Sequence, residues 1–256
     1  MRLTILGCSG SIPGPGEPAS GYLLEADGFL LAVELGNGTF AELQARHDPF
    51  DLGALLFTHL HPDHCADFSA LTVLRRYHPK PPYDVCARRL PVHAPRDAAG
   101  RLANAYAPNE TELAETDLSD VFAFHALRPG TTVHIGPFEV WSLPVDHPTE
   151  AFGIRVSHGG RTLAYTGDTG PCAALDRLAL GVDVLLAEAT WTHAPGRPGG
   201  VHLSGTQAGA LARRAGAGRL LLTHVAPWSD RAAVLAEACA EFPGAVLAEQ
   251  GASYLL

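Results

Sequence analysis

The sequence predicts an α/β protein in which two β-sheets pack face to face with helices outside, a four-layer αβ/βα sandwich. Three observations lead there. The chain divides into two β-rich halves, each ending in alternating strand-like and helix-like segments. The strand-like runs are short, apolar and punctuated by Gly and Pro. Residues with metal-binding chemistry stand just past the ends of several runs, where α/β sheets place their sites.

In chain order, RLTILGC opens as a strand, and the Gly- and Pro-rich SGSIPGPGEPASG reads as a turn near the active site. It lacks the lysine and glycine spacing of a phosphate-binding loop. YLLEA and FLLAV flank Ala26-Asp27-Gly28 as a hairpin. Residues 38–47 have helical spacing, GALLFTH is a buried strand, and Ala66 to Tyr77 carries Phe68, Leu71 and Leu74 three apart, as a helix does. LPVHAP reads as a strand and RDAAGRLANAY as a helix. VFAFHAL, TTVHI, FEVWSLPV, AFGIRVS and TLAYTG form a second block of mainly antiparallel strands. Helix CAALDRLA, strand VDVLLAEA, helix TQAGALARRAG, strand RLLLTH, helix RAAVLAEACAEF and one closing strand complete the chain.

With 256 residues, 46% hydrophobic and 18% charged, the chain can bury a sizeable core, and residues 1–256 are read as one domain. No apolar run reaches the roughly 18 residues of a membrane span, and MRLTILGCSG has no secretory pattern, so a cytoplasmic location is expected. Five scattered cysteines, none in a C-x-x-C pair, point to inert thiols, Cys65 included. A net charge of −9 disfavours stable nucleic-acid binding but allows a small anionic substrate. Arg75, Arg76, His78 and Lys80 form the one local basic run, read as a solvated helix end in preference to a phosphate contact.

LLFTHLHPDHCAD carries the chemistry. With 13 histidines in 256 residues, three at fixed positions arise by chance in roughly one window in ten thousand. Extended backbone past the strand puts alternate residues His59 and His61 on one side, able to reach one metal ion. Pro62 sets the turn that follows, and Asp63 and His64 at the start of the next helix can point at a second. Neutral imidazole and carboxylate suit zinc, and manganese or iron accept them too. His147, Asp168 and His224 each follow a strand-like run, and with the cluster make seven ligands, enough for two ions if Asp168 bridges them.

THLHPDH, His147, TGDTG and LLLTH, in that order, resemble the metallo-β-lactamase superfamily over nearly the whole chain. The resemblance implies the metallo-β-lactamase fold with a dinuclear site between the sheets: His59, His61 and His147 on the first metal, Asp63, His64 and His224 on the second, Asp168 between them. HLSGTQAGALARRAGAGRLLLTH is similar to the end of ribonuclease Z and its phosphodiesterase relatives, which makes His202 the counterpart of their catalytic histidine. ILGCSGSIPGPGEPASGYLL, HPDHCADFSALTVLRRYHP and EATWTHAPGRPGGVHLSGTQAG resemble the atypical class II cyclic-nucleotide phosphodiesterase group described in actinobacteria. Two departures from ribonuclease Z stand out. Only 20 residues separate His147 from Asp168, leaving no room for the arm that grips transfer RNA, and Ala187 replaces the histidine of the His-Glu-Ala-Thr element. Related enzymes are often dimers, so a homodimer is allowed.

The expected reaction is hydrolysis of a phosphodiester of a small nucleotide, such as a 3′,5′-cyclic nucleotide like cAMP, by a metal-bridging hydroxide. Asp63 orients that hydroxide or takes its proton, and His202 donates to the leaving alkoxide or stabilises its charge. Glu188 either supports His202 or anchors its loop; Thr190 and Trp191 are read as packing residues. His193 has slight extra weight among the remaining histidines because its loop leads to His202. The alternatives are a ribonuclease Z-like RNA 3′-end endonuclease, a thioester or lactone hydrolase with the same centre, and a metal-bound module without catalysis.

Overall fold

The computed structural model describes residues 1–256. Its first sheet takes β1 (Arg2–Gly7), β2 (Gly21–Ala26), β3 (Phe29–Val33), β4 (Leu52–Leu56), β5 (Leu90–Ala94) and β6 (Phe122–Ala126). The second takes β7 (Thr132–Ile135), β8 (Phe138–Pro144), β9 (Phe152–His158), β10 (Arg161–Tyr165), β11 (Val184–Glu188), β12 (Leu220–Thr223) and β13 (Val246–Leu247). The chain then crosses back, and β14 (Ser253–Leu255) pairs with β1. The spatial orders are β14-β1-β2-β3-β4-β5-β6 and β13-β12-β11-β10-β9-β8-β7. Each sheet is antiparallel in its first strands and parallel from β3 to β6 or from β10 to β13.

The helices are α1 (Thr39–Gln44), α2 (Pro62–Cys65), α3 (Phe68–Tyr77), α4 (Ala98–Tyr106), α5 (Glu110–Glu115), α6 (Ala173–Ala179), α7 (Gly205–Ala215) and α8 (Arg231–Glu241). None is long and apolar enough to cross a membrane. Four layers require three apolar seams, and strand periodicity supplies them. Leu31 and Val33 of β3 meet Ile154, Leu163 and Leu186 between the sheets, while their neighbours Leu30 and Ala32 pack outward with Phe68 and Leu71 of α3. Leu185 and Ala187 of β11 face Leu211 and Ala212 of α7, and Val184 and Leu186 face the other sheet. A side-chain period of two sends alternate residues into different seams, which is why these strands are apolar throughout.

The β2–β3 hairpin turns at Asp27 and Gly28 with φ of 52° and 76°, the left-handed pair that a two-residue turn requires. Three expectations are corrected. VFAFHAL belongs to the first sheet, where β6 runs parallel to β5, because the α4–α5 crossover returns it beside its predecessor. The closing strand is two short strands, one in each sheet. Arg75 is not solvated: it is 2% exposed, its guanidinium donating to the carbonyls of Val121 and Arg88, so it ties α3 to the segment before β5 and to the start of β6.

Candidate metal centre and active site

The parallel strands and β8 bring their carboxyl ends to one rim of the sandwich. His59 follows β4, His61 precedes α2, and Pro62 opens α2 so that Asp63 and His64 turn back toward the strand ends. His147 follows β8, Asp168 follows β10, Glu188 ends β11, His202 leads into α7 and His224 follows β12. Every predicted site residue therefore comes to this rim.

The side chains converge as two groups. His59, His61 and His147 form one, with His61 Nδ1 at 3.1 Å from His147 Nε2. Asp63, His64, Asp168 and His224 form the other, with His224 Nε2 3.1 Å from Asp63 Oδ2 and 3.3 Å from His64 Nε2. Asp168 reaches into both: Oδ1 lies 3.2 Å from His64 Nε2, and Oδ2 lies 3.2 Å from His224 Nε2 and 3.7 Å from His59 Nε2.

Neighbours fix the ring orientations. His147 donates its Nδ1–H to the Val201 carbonyl at 3.0 Å, which leaves Nε2 as a lone pair facing the site. His224 Nδ1 lies 2.9 Å from Thr190 Oγ1, and that hydroxyl lies 3.0 Å from Glu188 Oε2. Thr190 can thus accept from His224 and donate to Glu188, which is more than packing. Glu188 Oε1 accepts from the Thr169 amide at 2.7 Å and from His202 Nδ1 at 3.0 Å. The His202 ring then stands between His147 and His224, with centroids 5.9 and 5.2 Å away.

Glu34, absent from the predicted set, is fully buried beneath this centre. It accepts from the Thr58 amide and hydroxyl, and lies 3.5 Å from His64 Nδ1. The signal was present in FLLAVELGNG, an acid at the end of an apolar run where only a paired carboxylate is tolerated. The opening turn also arrives here: the Ser11 amide is 3.3 Å from His224 Nε2, and a Cβ on Gly10 would overlap the His224 carbonyl. His224 itself adopts a φ of 56°, a strained conformation for a non-glycine residue. His193 is bonded to Ser204 Oγ at 3.0 Å in the loop below His202, and the other six unassigned histidines are absent from both groups.

Burial lowers the pKa of His59, His61 and His147, the first well below its ordinary value, so all three are neutral donors. Burial opposes charge on His64, but Asp168, Asp63 and Glu34 outweigh it and raise its pKa above the ordinary value. Burial would raise Asp63, yet the His224 and His64 rings beside its carboxylate keep it far below the usual carboxylate range. At His202 burial again opposes charge, and the Glu188 carboxylate overcomes it and raises the pKa.

Glu34, Asp63, Asp168 and Glu188 are 0, 7, 2 and 0% exposed, and no arginine or lysine pairs with any of them. The titratable side chains that face them are histidines. His59 Nε2 and Asp168 Oδ1, both buried, have no hydrogen-bond partner. Unpaired donors of this kind, beside carboxylates with no arginine or lysine partner, fit divalent cations. Cys65 is no part of the set: its thiol donates to the His61 carbonyl and burial pushes its pKa up to about 11.

Two cavities flank the centre. One of about 270 Å³ is lined by His61, Asp97, Arg101, Thr149 and Glu150; the other, of about 150 Å³, by Trp191, His193, Arg197, His202 and Gln207. A larger one of about 630 Å³, around Arg2, His47 and Arg88, shares no residue with the centre.

This arrangement agrees with what the chain is similar to. The family described as the beta-lactamase superfamily domain matches residues 34–225. An uncharacterized protein of Mycobacterium tuberculosis is 46% identical over 96% of this chain and 88% of its own length. Ribonuclease Z of Mycolicibacterium paratuberculosis is 31% identical over 89% and 86%. The crystal structure of YhfI, a metallo-beta-lactamase fold protein of Bacillus subtilis, superimposes with a TM-score of 0.83 at 25% identity, covering 99% of this chain and 98% of that one. The chain belongs to the metallo-β-lactamase superfamily of metal-dependent hydrolases.

Proposed function

We propose that the chain is a dinuclear metal-dependent phosphodiesterase acting on a small nucleotide, with 3′,5′-cyclic nucleotides such as cAMP as the leading class. The observation that carries this reading is His202, tethered through Nδ1 to buried Glu188 and standing with its ring between the two ligand groups. A proton donor so placed serves a leaving oxygen. In this reading His59, His61 and His147 hold one ion, Asp63, His64 and His224 the other, and Asp168 both. Zinc is the first choice for imidazole and carboxylate donors without thiolate.

Two such ions, when bound, supply a water acidic enough to ionise near neutral pH and positive charge against the phosphate oxygens. The residues of the chain do the rest. Asp63 orients the attacking water and accepts its proton. As the new oxygen–phosphorus bond forms, the bond from phosphorus to the leaving oxygen breaks, and His202 Nε2 protonates that oxygen. Glu188 holds His202 in the tautomer and orientation this needs, and solvent takes the proton from Asp63 and returns one to His202. The phosphodiester becomes a phosphomonoester and a free hydroxyl, which for a cyclic nucleotide stay on one product, a nucleoside monophosphate.

Transfer-RNA processing is disfavoured by the segment from His147 to Asp168. It is taken up by the β9–β10 hairpin, which turns at Gly159-Gly160, and carries no inserted arm. The net charge of −9 argues the same way. The test is a panel: zinc- or manganese-loaded protein with cAMP, bis(p-nitrophenyl) phosphate, a precursor transfer RNA and an acyl thioester. Turnover of the first two supports the proposal; turnover of the thioester alone overturns it.

A further inference from the structure

The geometry points to the cavity beside His202 as the subsite for the heteroaromatic base of the substrate, with Trp191 and Arg197 as its recognition platform. The inference rests on the phosphodiesterase reading. If His202 protonates the leaving oxygen, the sugar carried by that oxygen extends past His202, away from the ligand groups. The cavity of about 150 Å³ lies on that side, with His202 in its wall.

The lining suits a flat, nitrogen-rich ring. The Trp191 ring stands 5.1 Å from the His202 ring at 83°, so an aromatic surface adjoins the proton donor. The Arg197 guanidinium lies over the indole, 5.1 Å from its centroid, and bonds only to the carbonyl and hydroxyl of Thr192. With no carboxylate partner, its outer face and charge are free for a base, and guanidinium and aromatic faces are the usual platforms for bases. His193 and Gln207 spend Nδ1 and Oε1 on Ser204, leaving Nε2 of each able to hydrogen-bond ring nitrogens or carbonyls.

The loop carrying these residues is anchored. The His193 amide donates to both Glu237 carboxylate oxygens at 2.9 Å, and Ser204 caps α7 in a reciprocal bond with Gln207. The opposite cavity is the poorer candidate. It has no Trp, Tyr or Phe in its wall, and Asp97 and Glu150 line it beside Arg101, which disfavours an anionic nucleotide.

Calorimetric titration of the zinc-loaded full chain with AMP and with inorganic phosphate tests this without relying on turnover. Wild type is expected to bind AMP roughly tenfold more tightly than phosphate, the scale of one base stacked on an aromatic platform. Arg197→Ala, at an exposed position with little bearing on folding, is expected to shrink that ratio at least about fivefold. Trp191→Ala should shrink it as well, and Arg101→Ala should leave it intact. An Arg197→Ala ratio equal to wild type overturns the assignment, as does a collapse in Arg101→Ala or a wild type with no preference for AMP. Should the protein hydrolyse no phosphodiester yet keep this pattern, the reaction assignment fails while the subsite stands.

Discussion

His202 Nδ1 lies 3.0 Å from Glu188 Oε1, and the same carboxylate, through the Thr190 hydroxyl, reaches His224 Nδ1. One buried acid therefore orients both the proton donor of the proposed reaction and a proposed metal ligand. Replacing His202 with Ala should lower kcat by about 10² to 10⁴ while two metal equivalents remain bound. Steady-state kinetics with metal analysis on one preparation checks it; loss of metal together with activity would assign His202 a ligand or structural role.

Thr190→Val tests the second half of that relationship. The substitution keeps the shape but removes the oxygen between His224 and Glu188, so metal affinity should fall about 10- to 100-fold in chelator competition. Stability should also fall by about 1 to 3 kcal/mol because buried polar groups lose a partner. Unchanged affinity would reduce Thr190 to packing.

Arg75 is a buried cation bonded to backbone carbonyls instead of a carboxylate. Arg75→Met should cost about 2 to 4 kcal/mol in urea unfolding by leaving the carbonyls of Val121 and Arg88 without a donor. Arg75→Lys should recover little of it, since a point charge cannot reproduce the guanidinium fork. A loss below about 0.5 kcal/mol for the methionine variant, the scale of an ordinary surface change, would refute this.

Acid sensitivity should have a source outside the metal centre. Burial, and then the facing His125 ring at 5.0 Å, push His93 down to about 4. The unfolded chain takes up a proton at His93 below its ordinary value of 6.5, and the folded chain does so only near 4. Stability from this residue is thus intact above pH 6.5 and lost as pH falls toward 4, by about 1 kcal/mol once partial exposure is allowed for. In thermal melts across that range, His93→Phe should lose less stability than wild type; parallel curves would contradict the assignment.

What the sequence made legible was local or periodic. Short continuous apolar runs marked β3 and β11, and the spacing of His59, His61, Asp63 and His64 was a metal-site pattern before any fold was known. Long-range pairing was hidden. Nothing in VFAFHAL says that it joins β5 in parallel, because the α4–α5 crossover decides its neighbour. Glu34 and Thr190 escaped for a related reason: each acts through a residue 30 or more positions away, His64 and His224. Arg75 looked like the end of a charged helix because its acceptors are two backbone carbonyls and the Tyr83 hydroxyl, with no carboxylate for a charge pattern to announce.

Metal content tests the central claim most directly. The chain, loaded with zinc and freed of excess, should carry two equivalents by elemental analysis, and Asp168→Ala should lose at least one of them. A wild-type protein that is folded yet retains none, or an Asp168→Ala protein that still holds two, would contradict the account.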